Sequence, residues 1–185
     1  NTPDINPFAL QGANESMHLQ KYFLAATLSS SVGIYGPVFE FMVTDAVPGK
    51  EEYYDSEKYQ IRHWNWQQEN KITLLITKIN SLRHENAALQ QTNNIEFCDT
   101  DNDQIIAYYK YDDAKTNELL MIASLDAYYT KQAWVRLPLA SLGVGEGHPI
   151  TVVDLITGNS YHWDKEWNFV ELHPALPFHL FKIIK

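Results

Sequence analysis

The sequence has one cysteine, few basic residues and no long apolar run, and each shortage excludes a class of protein. A lone cysteine, Cys98, cannot form an internal disulfide, and it fits a reducing, cytoplasmic compartment. Lys and Arg together number 14 against 23 Asp and Glu, which gives a net charge of −9. Nucleic acid is therefore not an expected partner, since binding phosphates requires a basic face. No apolar stretch approaches the length of a membrane span, so no membrane contact is expected either.

Motifs that hold metals, phosphates or hydrolytic nucleophiles are also missing. The seven histidines lack zinc-ligand spacing, and neither a phosphate-binding glycine loop nor a Gly-x-Ser-x-Gly turn is present. Asp99, Asp101 and Asp103 alternate as in a calcium loop, but Gln104 and Lys110 stand where that loop needs Gly and Glu. We therefore expect no metal site and no cofactor, and we interpret the acidic run as a solvated turn.

The N-terminal residues do not look like the start of a protein. Asn1–Pro7 contains no initiator Met, no basic region and no apolar region, so it is neither a signal peptide nor a natural start. We expect the chain to be a piece of a longer protein or a processed product. Its 185 residues allow one ordinary domain or two small ones.

Helical periodicity dominates the first half of the chain. A helix is predicted from an N-cap at Ser16 to about Ser29. The apolar run Val32–Pro37, framed by glycines, indicates a buried strand that ends in a turn. The strongest helix covers Ile72–Leu82, which has one apolar stripe and a capping residue at Asn70.

After residue 94 the apolar period changes from helical to two, which predicts an all-β half, most simply an antiparallel sandwich. Gly158 and Asn159 give a hairpin signal between two of its strands. The predicted strands are Gln104–Tyr111, Leu119–Leu125, Ala133–Leu137, Ile150–Ile156, Ser160–Trp163, Phe169–Leu172 and His179–Ile184. The fold class predicted for the whole chain is therefore α+β.

Aromatic and charged residues are concentrated in the segment Glu51–Trp66, which follows neither a helical nor a strand period and is interpreted as an ordered loop. Flat aromatic faces beside directional hydrogen-bonding groups suit a sugar, whose ring is apolar on its faces and edged by hydroxyls. A solvated loop that covers a domain junction explains the same composition. In the β half, Trp134, Trp163, Trp167 and Phe169 form either a sugar-stacking platform or ordinary packing.

Four parts of the sequence carry a resemblance to known proteins: Asn1–Ile5, Leu24–Pro37, Glu52–Trp64, and Thr157–Gly158 with Val170–Pro174. Through them the chain resembles one family of the α-amylase superfamily, the bacterial α-1,4-glucan:maltose-1-phosphate maltosyltransferases. Asn1–Ile5 resembles the end of the seventh strand of the catalytic barrel, and Leu24–Pro37 resembles the seventh helix and eighth strand. Glu52–Trp64 is similar to the most diagnostic block, which ordinary amylases lack. Thr157–Gly158 and Val170–Pro174 fall in the family's C-terminal β domain.

The resemblance implies a role for three residues. Asp4 would be the third catalytic acid, which binds sugar hydroxyls and favours the oxocarbenium-like transition state. Lys58 and Tyr59 would hydrogen-bond the donor. The implied reaction is a retaining transfer of maltosyl units from α-maltose 1-phosphate to the non-reducing end of an α-1,4-glucan, with release of phosphate and without a cofactor.

The family's nucleophilic aspartate and acid/base glutamate lie on earlier barrel strands and are absent here, so the chain alone is expected to be inactive. The implied architecture is the last strand and helices of a (β/α)₈ barrel over residues 1–92, followed by an all-β domain over residues 93–185. The strand at Gly33–Tyr35 would lack its barrel neighbours, so we expect it to pair with a second copy, in a homodimer, or to be covered by helices. A different α-amylase-type hydrolase or transglycosylase, and a non-catalytic glucan-binding or dimerisation module, remain alternatives.

Overall fold

The structure, a computed structural model, describes residues 1–185 as helices in the first half and strands in the second. The α-helices are α1 (Glu15–Leu28), α2 (Gly36–Glu40), α3 (Lys71–Glu85) and the short α4 (Leu139–Leu142), and 3₁₀ turns occur at Phe8–Leu10 and Ala87–Gln90. The strands are β1 (Ile95–Cys98), β2 (Ile105–Tyr111), β3 (Glu118–Ser124), β4 (Lys131–Arg136), β5 (Ile150–Asp154), β6 (Ser160–Trp163), β7 (Trp167–Leu172) and β8 (Phe178–Ile184).

Both long helices begin at an asparagine cap. The side chain of Asn70 accepts a hydrogen bond from the amide of Ile72 at 2.9 Å, which confirms the predicted start of α3. In α1 the cap is Asn14, whose side chain accepts from the amide of Met17 at 3.0 Å. The prediction of Ser16 was therefore wrong, because the upstream Asn14 already satisfies the free amide and leaves Ser16 buried in the first turn.

The predicted strand at Val32–Pro37 does not form. Residues 29–35 have no regular structure, and α2 begins at Gly36. A strand needs a neighbour to pair with its backbone groups, and this segment belongs to neither sheet. Instead, the Arg83 side chain from α3 donates to the carbonyls of Ser29 and Ser30, at 3.0 and 2.6 Å, and ties the start of the segment to the helix.

The predicted all-β half is confirmed, with one additional strand. Strands β2 to β8 each coincide with a predicted segment, whereas β1 was not predicted. The strands form a six-stranded sheet of order β1-β2-β3-β8-β5-β6 and a two-stranded sheet of β4 and β7, and every pairing is antiparallel. Gly158 lies in the predicted turn between β5 and β6 with φ of 81°, a left-handed conformation that favours glycine.

The sheet separates two apolar cores, and the chain is therefore α+β with a mostly antiparallel sheet. One face of the six-stranded sheet packs on α1 and α3, where Phe23 stacks on Phe178 with ring centroids 4.1 Å apart. The opposite face packs on the inner side of β4 and β7 and contributes residues such as Ile122 and Phe181. None of the helices combines the length and the apolar character needed to span a membrane.

The core between helices and sheet draws on both halves of the chain. Leu19, Phe23 and Ile79 from the helices share it with Leu119 and Met121 from β3. A sheet face that is apolar must be covered, and here the helical half covers it. The helices and the six-stranded sheet are thus held together by a shared core.

Candidate functional site

The N-terminal segment is anchored to the loop that the sequence singled out. The amide of Asn6 donates to the carbonyl of Glu51 at 3.0 Å, and the amide of Phe8 donates to a Glu51 carboxylate oxygen at 2.9 Å. The side chain of Asn6, which is buried, donates to the carbonyl of Thr44 at 3.1 Å. These contacts bring the residues just before Asn6 next to the loop Glu51–Trp66.

Within the loop, Glu57 makes the central contacts. Its two carboxylate oxygens accept hydrogen bonds from the Tyr35 hydroxyl at 2.8 Å and from the Trp64 indole N–H at 2.9 Å. The Trp64 ring stacks on Phe41 with centroids 5.7 Å apart, and the Arg62 guanidinium lies over the Trp64 ring, 5.7 Å from its centroid. Charged acceptors strengthen such bonds, so Glu57 fixes the loop against the segment that follows α1.

The other aromatic residues of the loop divide into two groups. Tyr53 is buried, pairs with Ala46 in an isolated bridge and accepts a hydrogen bond from the Asn1 side chain at 3.0 Å. Tyr54 and Trp66 are largely exposed. Tyr53 and Trp64 therefore hold the loop in place, whereas Tyr54 faces an open cleft and Trp66 faces solvent.

The three site residues predicted from the family resemblance meet in this cleft. Lys58 Nζ lies 3.2 Å from Asp4 Oδ1, and the same nitrogen is 5.6 Å from the centroid of the Tyr59 ring. The cleft has a volume of about 400 Å³, and Tyr54 and Glu52 also line it. The hydrogen bond and the charge of Asp4 raise the pKa of Lys58 above its ordinary value, so Lys58 stays protonated at neutral pH.

The cleft offers groups of complementary chemistry to a polyhydroxylated ligand. Asp4 is an acceptor, Lys58 is a donor, and the Tyr59 ring is 81% exposed and provides a flat apolar face. Glu52 supplies a second carboxylate, whose Oε2 lies 3.9 Å from Lys50 Nζ. The sequence did not mark Glu52 or Tyr54 as site residues, and only their position next to Lys58 and Tyr59 along the chain could have suggested them.

The acidic run in the β half has structural contacts instead. Asp99 forms an ion pair with Arg136 at 3.3 Å, and Asp101 accepts a hydrogen bond from the amide of Trp134 at 2.7 Å. Both contacts join the loop after β1 to β4. The interpretation of these residues as a turn agrees with this role.

Comparison with known proteins places the chain in a family. Residues 97–183 match the model of the family described as GLGE, C-terminal. The chain is 41% identical over 190 residues to the α-1,4-glucan:maltose-1-phosphate maltosyltransferase of Chlorobaculum tepidum. It is 42% identical over 185 residues to the enzyme of that name from Methylacidiphilum infernorum. Each alignment covers 99% of this chain. The chain belongs to the maltosyltransferase family.

The match is to the C-terminal region of that family, and the chain spans 28% of the length of both relatives. Among solved structures, the chain is similar to the maltogenic α-amylase AmyB of Thermotoga neapolitana, with a TM-score of 0.70 at 13% identity. That alignment covers all of this chain and 40% of the amylase chain. At this identity the likeness concerns the fold, so this member of the maltosyltransferase family has the C-terminal architecture of α-amylases.

Proposed function

We propose that this chain is the C-terminal part of an enzyme that transfers maltosyl units from α-maltose 1-phosphate to the non-reducing end of α-1,4-glucans. Family membership supports the reaction, because relatives that match the chain along its whole length carry that activity in their names. The observation that carries the proposal for the site is that Asp4 lies in one cleft with Lys58 and Tyr59, although 54 residues separate Asp4 from Lys58 in sequence.

The proposed roles follow from the chemistry of these groups. Lys58 and Tyr59 bind hydroxyls of the donor maltosyl unit. A carboxylate from the rest of the enzyme attacks the anomeric carbon, and the bond to phosphate breaks. The 4-hydroxyl of the glucan then attacks the same carbon, loses its proton to a base and releases the enzyme carboxylate. Asp4 binds sugar hydroxyls more tightly in the oxocarbenium-like transition state than in the ground state, which accelerates the reaction.

The proposal also assigns residues 1–92 to the end of a (β/α)₈ barrel and residues 93–185 to the C-terminal β domain. An open apolar cleft of about 350 Å³ supports this assignment. Val32, Gly33 and Ile34 line it together with Tyr22 and Phe39, and an earlier part of the barrel would fill it. A second copy of the chain is the other occupant we consider, as the predicted homodimer requires. Sedimentation of the 185-residue chain and of the full-length enzyme distinguishes these two occupants. If a second copy fills the cleft, both proteins should be dimers, whereas an earlier part of the barrel in the cleft does not predict this.

Neither nucleic acid nor a membrane is among the binding partners that we propose, in agreement with the sequence analysis. The chain has a net charge of −9, so we propose no nucleic-acid partner, and we propose no membrane partner.

Cys98 is partly buried and unpaired, and burial raises the pKa of its thiol to about 12, which keeps the thiol protonated and unreactive. An unpaired thiol supports a cytoplasmic location.

The proposal is tested in the full-length enzyme by phosphate release from maltose 1-phosphate in the presence of glycogen. We expect Lys58→Ala to raise KM for the donor, because Lys58 binds the ground state, and Asp4→Asn to lower kcat about a hundredfold or more. Lys50→Ala is the matched control, since Lys50 carries the same charge, directly precedes this loop and does not line the cleft. Unchanged KM and kcat in Lys58→Ala would remove Lys58 from the donor site.

Two further results decide the alternatives. The 185-residue chain alone should release no phosphate above the blank, because the nucleophile and the acid/base are not in it, and release would refute that statement. The likeness to α-amylases favours a hydrolase or transglycosylase as the second candidate. A full-length enzyme that produces reducing ends from starch but releases no phosphate from maltose 1-phosphate would establish that candidate instead.

A further inference from the structure

A groove lies at the edge of the β half, on the opposite side of the sheet from α1 and α3. The two-stranded sheet is too narrow to cover the whole face of the six-stranded sheet, so part of β6 and β8 is left open beside β7. The groove has a volume of about 260 Å³. The residues that give it its character are Tyr161, Trp163, Phe169, Glu171, His179 and Phe181.

Aromatic rings line most of this groove. Phe181 is buried, and the rings of Tyr161 and Trp163 meet it edge-on, with centroids 5.8 and 5.5 Å away. Tyr161 and Phe169 nevertheless remain 40% and 49% exposed. Large aromatic faces left open beside a buried aromatic floor indicate a surface that a ligand covers.

The polar groups of the groove are fixed in place. His179 Nδ1 lies 2.9 Å from Asp154 Oδ2, and the Asp154 side chain is completely buried. Asp154 also accepts a hydrogen bond from the amide of Ile156 at 2.9 Å. Burial by itself would raise the pKa of Asp154, but the hydrogen bonds from His179 and Ile156 hold it below its ordinary value, so the carboxylate stays charged. A charged acceptor at Nδ1 leaves Nε2 as the free ring nitrogen of His179, and the ring stacks on Phe181.

We propose that this groove binds a segment of an α-glucan, at a position separate from the Asp4–Lys58 cleft. The inference rests on the proposed function, which supplies the glucan. A glucose ring presents apolar C–H faces to Tyr161 and Phe169 and hydroxyls to His179 and Glu171. The volume is below the roughly 300–1,000 Å³ of pockets that enclose drug-sized molecules, so the groove holds about one or two sugar rings of a chain that continues beyond it.

The groove does not suit the other obvious ligands. An anion such as a phosphate ester would meet the carboxylate of Glu171 in a chain of net charge −9, and no Lys or Arg lines the groove. A second copy of this chain could add a strand along the open edge of β7, and this occupant is left as an outcome of the test. The combination of open rings with a neutral or singly charged imidazole and one carboxylate fits an uncharged, polyhydroxylated ligand best.

The test is calorimetric titration of the 185-residue chain with maltoheptaose. We expect binding, and we expect Tyr161→Ala to weaken it about tenfold or more because a stacking face is lost. Tyr161→Phe keeps that face and should retain the affinity. Tyr129→Ala removes another exposed tyrosine of the β half, outside the groove, and should leave binding unchanged. Thermal melting of each variant identifies any loss that is due to unfolding.

The remaining outcomes distinguish glucan binding at the groove from glucan binding at the cleft of Asp4 and Lys58 and from self-association. Absence of binding, or binding that Tyr59→Ala abolishes and Tyr161→Ala does not, would overturn this inference while leaving the proposed function open to its own assay. A dimer that Tyr161→Ala dissociates, without any change in maltoheptaose affinity, would assign the groove to self-association. Loss of binding in Tyr161→Ala, in an enzyme that transfers nothing from maltose 1-phosphate, would support the groove and refute the proposed function.

Discussion

Lys110 is a lysine that the fold buries without a carboxylate partner, and replacing it with methionine should stabilise the protein. Its side chain points from β2 towards the helices, is completely inaccessible to solvent and donates from Nζ to the carbonyl of Gln91 at 2.6 Å. Burial, together with repulsion from the Arg83 guanidinium, lowers the pKa of Lys110 from its ordinary 10.5 to about 8. At neutral pH Lys110 is still mostly charged, and burying this disfavoured ammonium makes the folded state less stable.

The loss of stability caused by the buried charge of Lys110 follows from the lowering of its pKa. Each pKa unit corresponds to 1.36 kcal/mol, so below pH 8 the buried charge destabilises the folded state by about 3 kcal/mol. Between pH 8 and 10.5 the unfolded chain binds more protons at Lys110 than the folded protein does, so the free energy of unfolding rises with pH across this window. From pH 7 to pH 10 this group alone should add about 2 kcal/mol.

Lys110→Met removes the charge and keeps a side chain of similar length. It forfeits one hydrogen bond to the carbonyl of Gln91, which is an exposed residue that water can reach, so the net gain at pH 7 should be about 1–3 kcal/mol. Urea unfolding of wild type and variant at pH 7 and pH 10 measures it, and the difference between them should shrink at the higher pH. Lys182→Met, at an exposed position of β8, is the control and should show neither effect. Equal stability of wild type and Lys110→Met at both pH values would show that Nζ reaches water in the folded protein, and the reasoning would be wrong.

Other predictions concern the contacts between the helices and the sheet and the N-terminal cap of α3. Phe23→Ala removes a fully buried ring that stacks on Phe178 and should lower the free energy of unfolding by about 3–5 kcal/mol, with a single transition by both circular dichroism and fluorescence. Two separate transitions would contradict the shared core. Thr27→Val keeps the shape of Thr27 but leaves the Tyr108 hydroxyl, 2.6 Å away, without its partner, at a cost of about 1–3 kcal/mol in chemical denaturation. Asn70→Ala should cost about 1 kcal/mol through loss of the cap of α3, and Asn70→Asp, which keeps the cap but cannot donate to the carbonyl of Glu40, should restore only part of it.

The parts of the fold that sequence predicted well are those in which a local pattern decides the structure. Helix α3 carries both an apolar stripe and a capping residue, and the strands β2 to β8 carry a period of two or a continuous apolar run. Strand β1 was missed because Ile95–Cys98 has only four residues, none of them buried, and no turn signal marks it, whereas the equally short β6 follows the hairpin signal at Gly158 and Asn159. The segment Val32–Pro37 was predicted as a strand from its composition, but pairing is not a local property, and no partner strand exists in this chain.

The candidate sites depended even more on contacts that are distant in sequence. Nothing in the spacing of Asp4 and Lys58 predicted an ion pair, and only the family resemblance put the two together. In the β half, the sequence suggested a platform of four aromatic residues, but alternation along β4 and β7 turns Trp134, Trp167 and Phe169 to the outer face of the two-stranded sheet, where the rings of Trp134 and Phe169 lie 5.7 Å apart. Trp163 and Phe169 alone reach the groove, and its histidine could not be identified without the position of Asp154.

The proposed donor cleft combines a fixed backbone with exchangeable side-chain contacts. Glu57 holds the loop through charged hydrogen bonds to Tyr35 and Trp64, and both of those residues are themselves packed or half-buried. By contrast, the side chains of Asp4 and Lys58 are 63% and 54% exposed, and ion pairs in water contribute little to stability. Replacing their mutual contact by contacts to sugar hydroxyls therefore costs little, while the backbone that positions them need not move. The loop therefore contains two sets of residues: Glu57, Trp64 and Tyr53 hold its shape, and the exposed side chains of Lys58 and Tyr59 are those we propose to bind the donor.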